Sequence, residues 1–219
     1  MLKKIALVLG GLILVLIVVI ATRPGQMHVE RSLPIPVESQ VVHRLLNDFR
    51  AWPSWSPWEK LDPEMKRETS GAPQGVGARY AWSGNDQVGS GNMEIIESTP
   101  EQIKIRLEFE EPFAATNLTT FALAPAPASG GTAGTRVTWA MDGENNFISK
   151  AMGLFMDMDA MIGKDFEAGL ANLAALAVGA AELQGVAARV EPAPAPVVPA
   201  IANQAAAGTG GGGGAPAAR

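Results

Sequence analysis

An uninterrupted apolar run opens the chain, and segments of alternating apolar and polar residues follow it. Residues 5–22 carry no charged side chain. As a helix rising 1.5 Å per residue they would span about 27 Å, close to the roughly 30 Å hydrocarbon core of a bilayer. The pattern therefore predicts a membrane helix within a first segment, residues 1–23, and contact with a membrane through residues 5–22.

Two alternatives to a retained anchor stay open. A cleaved signal peptide has a shorter apolar core, although Val19–Ala21 would suit its cleavage site. A buried helix of a water-soluble fold is the weaker alternative. Lys3 and Lys4 precede the run, and this charge bias predicts a cytoplasmic N-terminus and an extracytoplasmic domain, periplasmic in a Gram-negative bacterium. Signal cleavage would instead give a secreted protein.

The middle of the chain is a series of period-2 patterns interrupted by turn residues. Met27–Leu33 predicts a first strand that Pro34 and Pro36 end, and 37–49 predicts an amphipathic helix. Six more strand patterns follow before residue 142, clearest in Ile103–Phe109, where alternate residues are apolar. These strands are predicted around Met65–Thr69, Ala78–Trp82, Gly91–Glu97, Gln102–Phe109, Ala115–Leu123 and Thr135–Met141.

The pattern changes to a helical period after the last strand. Apolar residues recur at 148, 152, 155, 162, 166, 170 and 173, which predicts one long helix over Phe147–Leu176. Strands joined by short turns pair antiparallel, and a sheet with one apolar face needs a cover. We therefore expect an α+β domain at 24–185, in which a seven-stranded antiparallel sheet packs on the C-terminal helix.

The C-terminal segment, 186–219, is rich in alanine, proline and glycine. Such a segment buries too little apolar surface to offset the entropy of ordering, so we expect it to be disordered. The net charge of −5 gives no footprint for nucleic acid. With no cysteine and only two histidines, we expect no metal site and no cofactor.

Four segments of the chain, taken in their order and spacing, match a known family. They are Trp52–Trp58, Gly75–Gly84, Gly134–Gly143 and Met161–Leu173. These segments resemble the SRPBCC superfamily, and most of all its polyketide cyclase/dehydrase and lipid-transport branch, relatives of the START domains. The resemblance implies a helix-grip fold, in which a curved sheet holds a long helix around a cavity. It implies no particular reaction, because members of this group differ in what they do.

Candidate ligand-binding residues are the apolar and polar side chains with the parity to face this cavity. Trp52 and Trp55 lie three residues apart and would roof the cavity or close one end of the sheet, and core packing is the more common role for such residues. Asn117 would meet the polar end of a ligand. The full set is Trp52, Trp55, Tyr80, Trp82, Phe109, Asn117, Phe121, Trp139, Met141, Met152, Phe155 and Met156.

Catalytic candidates are few. Asp159 follows Phe155 by one helical turn and would have a raised pKa if it faced the cavity, but a place at the rim, paired with Arg79 or another base, is the more ordinary outcome. Tyr80 is the other weak candidate. The leading hypothesis is membrane-tethered binding of a hydrophobic small molecule or lipid. The alternatives are a cyclase-, dehydratase- or hydrolase-like enzyme and a non-catalytic interaction or stress-response domain.

Overall fold

The structure, a computed structural model, describes residues 1–127 and 133–190, with side chains as far as Gln184. Short 3₁₀ helices occupy Phe49–Ser54 and Pro57–Lys60. The α-helices are α1 (Leu2–Ala21), α2 (Ser39–Leu46), α3 (Phe147–Met152) and α4 (Met158–Val190). The strands are β1 (Gln26–Ile35), β2 (Lys66–Gly71), β3 (Ala78–Ser83), β4 (Ser90–Thr99), β5 (Gln102–Glu111), β6 (Ala115–Pro127) and β7 (Ala133–Glu144).

The seven strands form one antiparallel sheet in the order β1-β7-β6-β5-β4-β3-β2, which confirms the predicted α+β fold. Strands β2 to β7 follow one another as a meander, and β1 closes the order beside β7. Of the two prolines expected to end the first strand, Pro34 lies within β1, and the strand ends at Ile35, directly before Pro36. Proline is tolerated there because β1 is an edge strand with one side free of ladder hydrogen bonds.

The strand register places the inward-facing side chains in rows that cross the sheet. Two rows at its centre contain large side chains, almost all of them buried. We call these the inner rows. They are Arg31–Trp139–Phe121–Ile103 and Val29–Met141–Thr119–Ile105–Ile95.

Helix α4 covers the inner rows, as the sequence predicted. Its buried residues Phe166, Leu170, Leu173 and Ala177 recur at helical spacing and form one face. The helix lies against β1, α2 and the second 3₁₀ helix. A Cβ atom at Gly169 would lie 2.7 Å from the ring of Trp139, so glycine is what allows the helix to approach the sheet this closely.

The single long helix predicted over Phe147–Leu176 is divided in the structure. Helix α3 ends at Met152 and α4 begins at Met158. The Asp157 carboxylate accepts a hydrogen bond from the backbone N–H of Ala160 at 3.0 Å, an N-cap that starts a new helix. The apolar spacing missed the break because Phe155, in the connection, falls in phase with both helices.

Helix α1 is a long apolar helix whose only buried residue is Ile20. Both α1 and the segment Met158–Gln184 of α4 are long and apolar enough to cross a bilayer, but α4 is the helix that packs on the sheet. Helix α4 extends to Val190, into the segment predicted to be disordered. The rest of that predicted tail, 191–219, lies outside the described residues.

Candidate functional site

An aromatic cluster fills the space between α4 and the inner rows. The rings of Trp139 and Phe166 stack with centroids 4.2 Å apart and an interplanar angle of 7°. Trp52 and Trp55, from the first 3₁₀ helix and its end, pack on Phe121 at 5.9 and 6.2 Å. All five side chains are at most 5% exposed. This half of the predicted cavity is therefore a packed core.

Packing becomes looser toward the end of the sheet where β1 begins. The next row is Met27–Gly143–Asn117–Leu107–Met93–Tyr80, and the last is Ala115–Phe109–Gly91–Trp82. Five of their large apolar side chains are only partly buried. We call these five the mouth: Met27, Trp82, Met93, Leu107 and Phe109.

Small residues widen the sheet surface at the mouth. A Cβ atom at Gly143 would collide with the carboxamide of Asn117, so the missing side chain leaves room for that amide. A Cβ atom at Gly91 would lie 2.6 Å from the ring of Trp82. Trp82 also meets Phe109 edge-to-face, with centroids 5.7 Å apart. The result is a partly exposed apolar surface with one buried amide, Asn117, at its inner boundary.

The mouth lies at the end of the sheet nearest α1. Only residues 22–25 separate α1 from β1, at most about 14 Å of extended chain. Asn145, directly after β7, fixes this linker: its backbone N–H donates to the Gly25 carbonyl at 2.9 Å, and its side chain donates to Pro24 and Gln26 carbonyls at 3.3 and 3.2 Å. This short, hydrogen-bonded connection keeps the mouth close to the end of α1.

Tyr80 belongs to a closed polar network beside the mouth. Its hydroxyl donates to Oε1 of Glu59 at 2.7 Å, and Nε of Arg67 donates to Oε2 of the same carboxylate at 2.6 Å. Burial, followed by this bond to Glu59, raises the pKa of Tyr80. Glu59 was not among the sequence candidates, because its position in a short 3₁₀ helix carries no periodic signal.

Asp159 does not face the cavity. Its carboxylate accepts from the Arg31 guanidinium at 3.0 Å and is 57% exposed. The hydrogen bond from Arg31 lowers the pKa of Asp159, so the raised pKa that an inward-facing carboxylate would have is not found. Its partner is Arg31 rather than Arg79, which pairs with Glu94 at 3.4 Å.

The predicted ligand-binding residues therefore separate into three groups. Trp52, Trp55, Phe121, Trp139 and Met141 are core residues, and Tyr80 and Asn117 are also buried. Trp82 and Phe109 belong to the mouth. Phe155 and Met156 are 85% and 44% exposed on the α3–α4 connection, so the expectation that they face the sheet is wrong; Met152, at the end of α3, is partly buried.

Two buried donors remain unpaired in the aromatic cluster. Within the described part of the chain, the indole Nε1 atoms of Trp55 and Trp139 have no hydrogen-bond partner. Buried N–H groups are usually paired, so these two donors are exceptions. Among the described residues, no group of three or more His, Cys, Asp or Glu side chains is placed to hold a metal ion.

A surface depression of about 840 Å³ borders the mouth, because Met27, Asn117 and Gly143 of the mouth row are among its lining residues. It is open to solvent, and the rest of its lining includes the outward-facing residues His28, Arg106, Leu118 and Asp142. Charged and exposed walls suit an apolar ligand poorly, because polar groups would lose water without gaining partners. The partly buried apolar mouth is the better candidate site.

Comparison with solved structures supports the fold. The XoxI protein of Bacillus cereus is 16% identical with a TM-score of 0.50, over 69% of this chain and 95% of that one. A hypothetical protein of Helicobacter pylori is 12% identical with a TM-score of 0.51, over 69% and 88%. Norcoclaurine synthase of Thalictrum flavum is similar at a lower level that carries no argument about the fold: it is 13% identical with a TM-score of 0.49, over 70% of this chain and 95% of that one. No curated protein sequence matches significantly.

The sequence itself matches a family model. The match covers residues 26–178, from the start of β1 into the second half of α4, and so includes every strand and the mouth. The helix α1 lies outside it. The chain belongs to the family described as polyketide cyclase/dehydrase and lipid transport.

Proposed function

We propose that this protein binds a hydrophobic small molecule or lipid at the mouth while α1 tethers it to a membrane. The observation that carries the proposal is the gradient of burial along the concave face. Side chains of the inner rows are packed, whereas Met27, Trp82, Met93, Leu107 and Phe109 stay partly exposed. Binding sites for apolar ligands are mostly apolar with a few polar groups, and the mouth together with Asn117 has that composition.

The class of ligand follows from the position of the mouth beside the packed aromatic cluster. Because the aromatic cluster occupies the inner half, the mouth suits a short or partly inserted apolar group rather than one that threads the whole fold. Asn117, buried between Leu107 and Gly143, supplies an amide for a carbonyl or hydroxyl group of the ligand. The remainder of the binding energy would come from apolar area, at about 25 cal/mol per Å².

Tethering is supported by the length and composition of α1. The helix runs from Leu2 to Ala21 with almost every residue exposed, and such a surface of leucine, isoleucine and valine is stable only against lipid or another apolar partner. The short linker would keep the mouth near the bilayer, where hydrophobic ligands are concentrated.

The enzyme alternative has no observation in its favour among the described residues. Asp159 is exposed and ion-paired, and Tyr80 donates its hydrogen bond to Glu59. Both groups are thus engaged in contacts that hold the fold together. No second function is therefore proposed.

The test is native mass spectrometry of the full-length protein released from nanodiscs. A discrete additional mass that denaturation removes supports the proposal and identifies the ligand class. Met93→Trp fills the mouth and should abolish the added mass, whereas Ile96→Trp, on the outer face of the same strand, should keep it. A clean apo mass that takes up no added fatty acid or phospholipid would refute ligand binding.

A further inference from the structure

The α3–α4 segment exposes large apolar side chains that the ligand proposal does not use. Phe155 is 85% exposed, more than any other aromatic residue of the described domain. Its apolar neighbours on the same segment are exposed by 43–53%: Phe147, Ile148, Met156 and Met161. We call these five the apolar ridge. Ordinary surfaces rarely group so many large apolar side chains within 15 residues of chain.

The ridge is located beside α1. Helix α3 contacts α1, in which Ile20 is buried. The covalent path agrees with this contact, because Pro24, Gly25 and Gln26 are hydrogen-bonded to Asn145 and α3 begins two residues later at Phe147. The part of the ridge that lies on α3, Phe147 and Ile148, is therefore beside the apolar surface of α1.

We propose that the apolar ridge inserts into the membrane interface, so that the domain lies against the bilayer at a second point besides α1. This inference rests on the proposed anchoring by α1. A bilayer is the occupant the structure favours, because the exposed apolar surface of α1 itself requires lipid and the α3 part of the ridge lies beside that surface. Phenylalanine and methionine are suited to the acyl–headgroup boundary, where no matching partner surface is needed.

The shape of the segment also fits an interfacial position. Helix α3 is short, and Asn146 caps its N-terminus. The Asn146 side chain accepts a hydrogen bond from the backbone N–H of Ser149 at 2.9 Å. Its helical hydrogen bonds, together with the caps at Asn146 and Asp157, satisfy backbone groups that would otherwise be costly near lipid. Asp157, exposed at the start of α4, would mark the aqueous side of the insertion.

Insertion at this place would connect the mouth to the bilayer. Strand β7 leads directly from Gly143, in the mouth row, into Asn146 and α3. A ligand that leaves the outer part of the membrane would thus meet the mouth without crossing bulk water. The ridge would hold the domain in that orientation, whereas α1 alone would leave it free to tilt.

The chain contains no cysteine, so single-cysteine spin labelling needs no other change. Full-length Phe155→Cys, Ile148→Cys, Val76→Cys and Leu14→Cys are labelled and reconstituted in phosphatidylcholine–phosphatidylglycerol vesicles. Collision rates with oxygen, which concentrates in lipid, are compared with those of a water-soluble nickel chelate. Val76 is the matched control, 59% exposed in the loop after β2 at the far side of the domain.

Labels at Phe155 and Ile148 should show a higher ratio of oxygen to nickel collision rates than the label at Val76, because oxygen concentrates in lipid and the nickel chelate stays in water. Equal nickel access at Phe155 and Val76 would overturn the proposal. The Leu14 label separates the two inferences: lipid exposure at Leu14 with water exposure at Phe155 overturns the ridge alone, and water exposure at both overturns the anchor as well.

Discussion

Arg31, on β1, and Asp159, at the start of α4, form an ion pair that joins the first strand of the sheet to the helix that covers it. Nη2 of Arg31 lies 3.0 Å from Oδ2 of Asp159, and Nε lies 3.0 Å from Oε1 of Glu167, about two turns further along the same face of α4. Gly163 lies between the two carboxylates, and a Cβ atom there would collide with the guanidinium. The missing side chain at Gly163 therefore leaves room on α4 for the Arg31 guanidinium.

Replacing Arg31 should lower stability modestly. Arg31→Met keeps the aliphatic part of the side chain but removes both ion pairs, and we expect only a small fall in the free energy of unfolding because both carboxylates are largely exposed to water. Chemical denaturation of the full chain in detergent measures the change. Arg50→Met, which removes an exposed local pair with Asp48, is the control and should change stability less. A loss as large as that from Phe121→Ala would contradict the exposed character of the pairs.

Alanine substitutions at two glycines of α4 should change the stability of the protein in opposite directions. Gly169→Ala places a methyl group against the ring of Trp139, and this overpacking should cost about 1–3 kcal/mol. Gly179→Ala has no atom within 4 Å of the new methyl group, so the gain in helix propensity should stabilise the protein by about 0.5–1 kcal/mol. Thermal unfolding of the pair measures both. Equal effects would mean that α4 does not pack on Trp139 as described.

Alanine substitutions of core and surface aromatic residues should differ sharply in their effect on stability. Phe121→Ala removes a fully buried ring of the aromatic cluster and should lower the free energy of unfolding by about 3–5 kcal/mol. Phe155→Ala, at an 85% exposed position, should change it by less than about 0.5 kcal/mol. Denaturant titration of both variants gives the comparison. A large effect at Phe155 would indicate a packed position on the sheet rather than an exposed ridge.

His28 and Asp142 predict a small dependence of stability on pH. The hydrogen bond to Asp142, at 2.7 Å, raises the pKa of His28. A raised folded-state pKa means that the stabilisation is complete below about pH 6.5 and is lost as the pH rises through the higher folded-state value. The exposed site limits the effect to less than about 1 kcal/mol.

Titration of the His28 imidazole by NMR tests this directly, and Asp142→Asn should bring the pKa of His28 back toward about 6.5. An unchanged His28 pKa in Asp142→Asn would show that the pair does not form in solution.

Asp159 should contribute to stability with the opposite dependence on pH. The hydrogen bond from Arg31 lowers the pKa of Asp159, so its contribution is present above the unfolded-state pKa and is lost as the pH falls through the folded-state pKa.

The fold could be predicted from sequence because its strands carry a period-2 signal. Ile103, Ile105 and Leu107 alternate as expected, and the structure turns all three toward the helix. The turn at Gly153–Asp157 could not be predicted in the same way. Met156 and Phe155 continue the helical spacing, and the N-cap at Asp157 depends on its hydrogen bond with the Ala160 N–H, which the sequence pattern does not reveal.

The site was less accessible to sequence reasoning than the fold. The parity of a strand residue tells which face it occupies, but not whether another element fills the space in front of it. Trp82 and Trp139 both face inward, yet only Trp139 has Phe166 stacked on it. Arg31 did carry a signal, since it is a charged residue at an inward position between Val29 and Leu33, but its partners belong to a distant helix.

Photo-crosslinking tests the central claim most directly. The full-length protein is reconstituted in vesicles that contain a diazirine-labelled phospholipid, irradiated, digested and analysed by mass spectrometry. We predict adducts on mouth residues such as Met93 and Leu107 as well as on α1, with the mouth adducts lost in Met93→Trp and kept in Ile96→Trp. Adducts confined to α1, or mouth adducts that persist in Met93→Trp, would contradict ligand binding at the mouth.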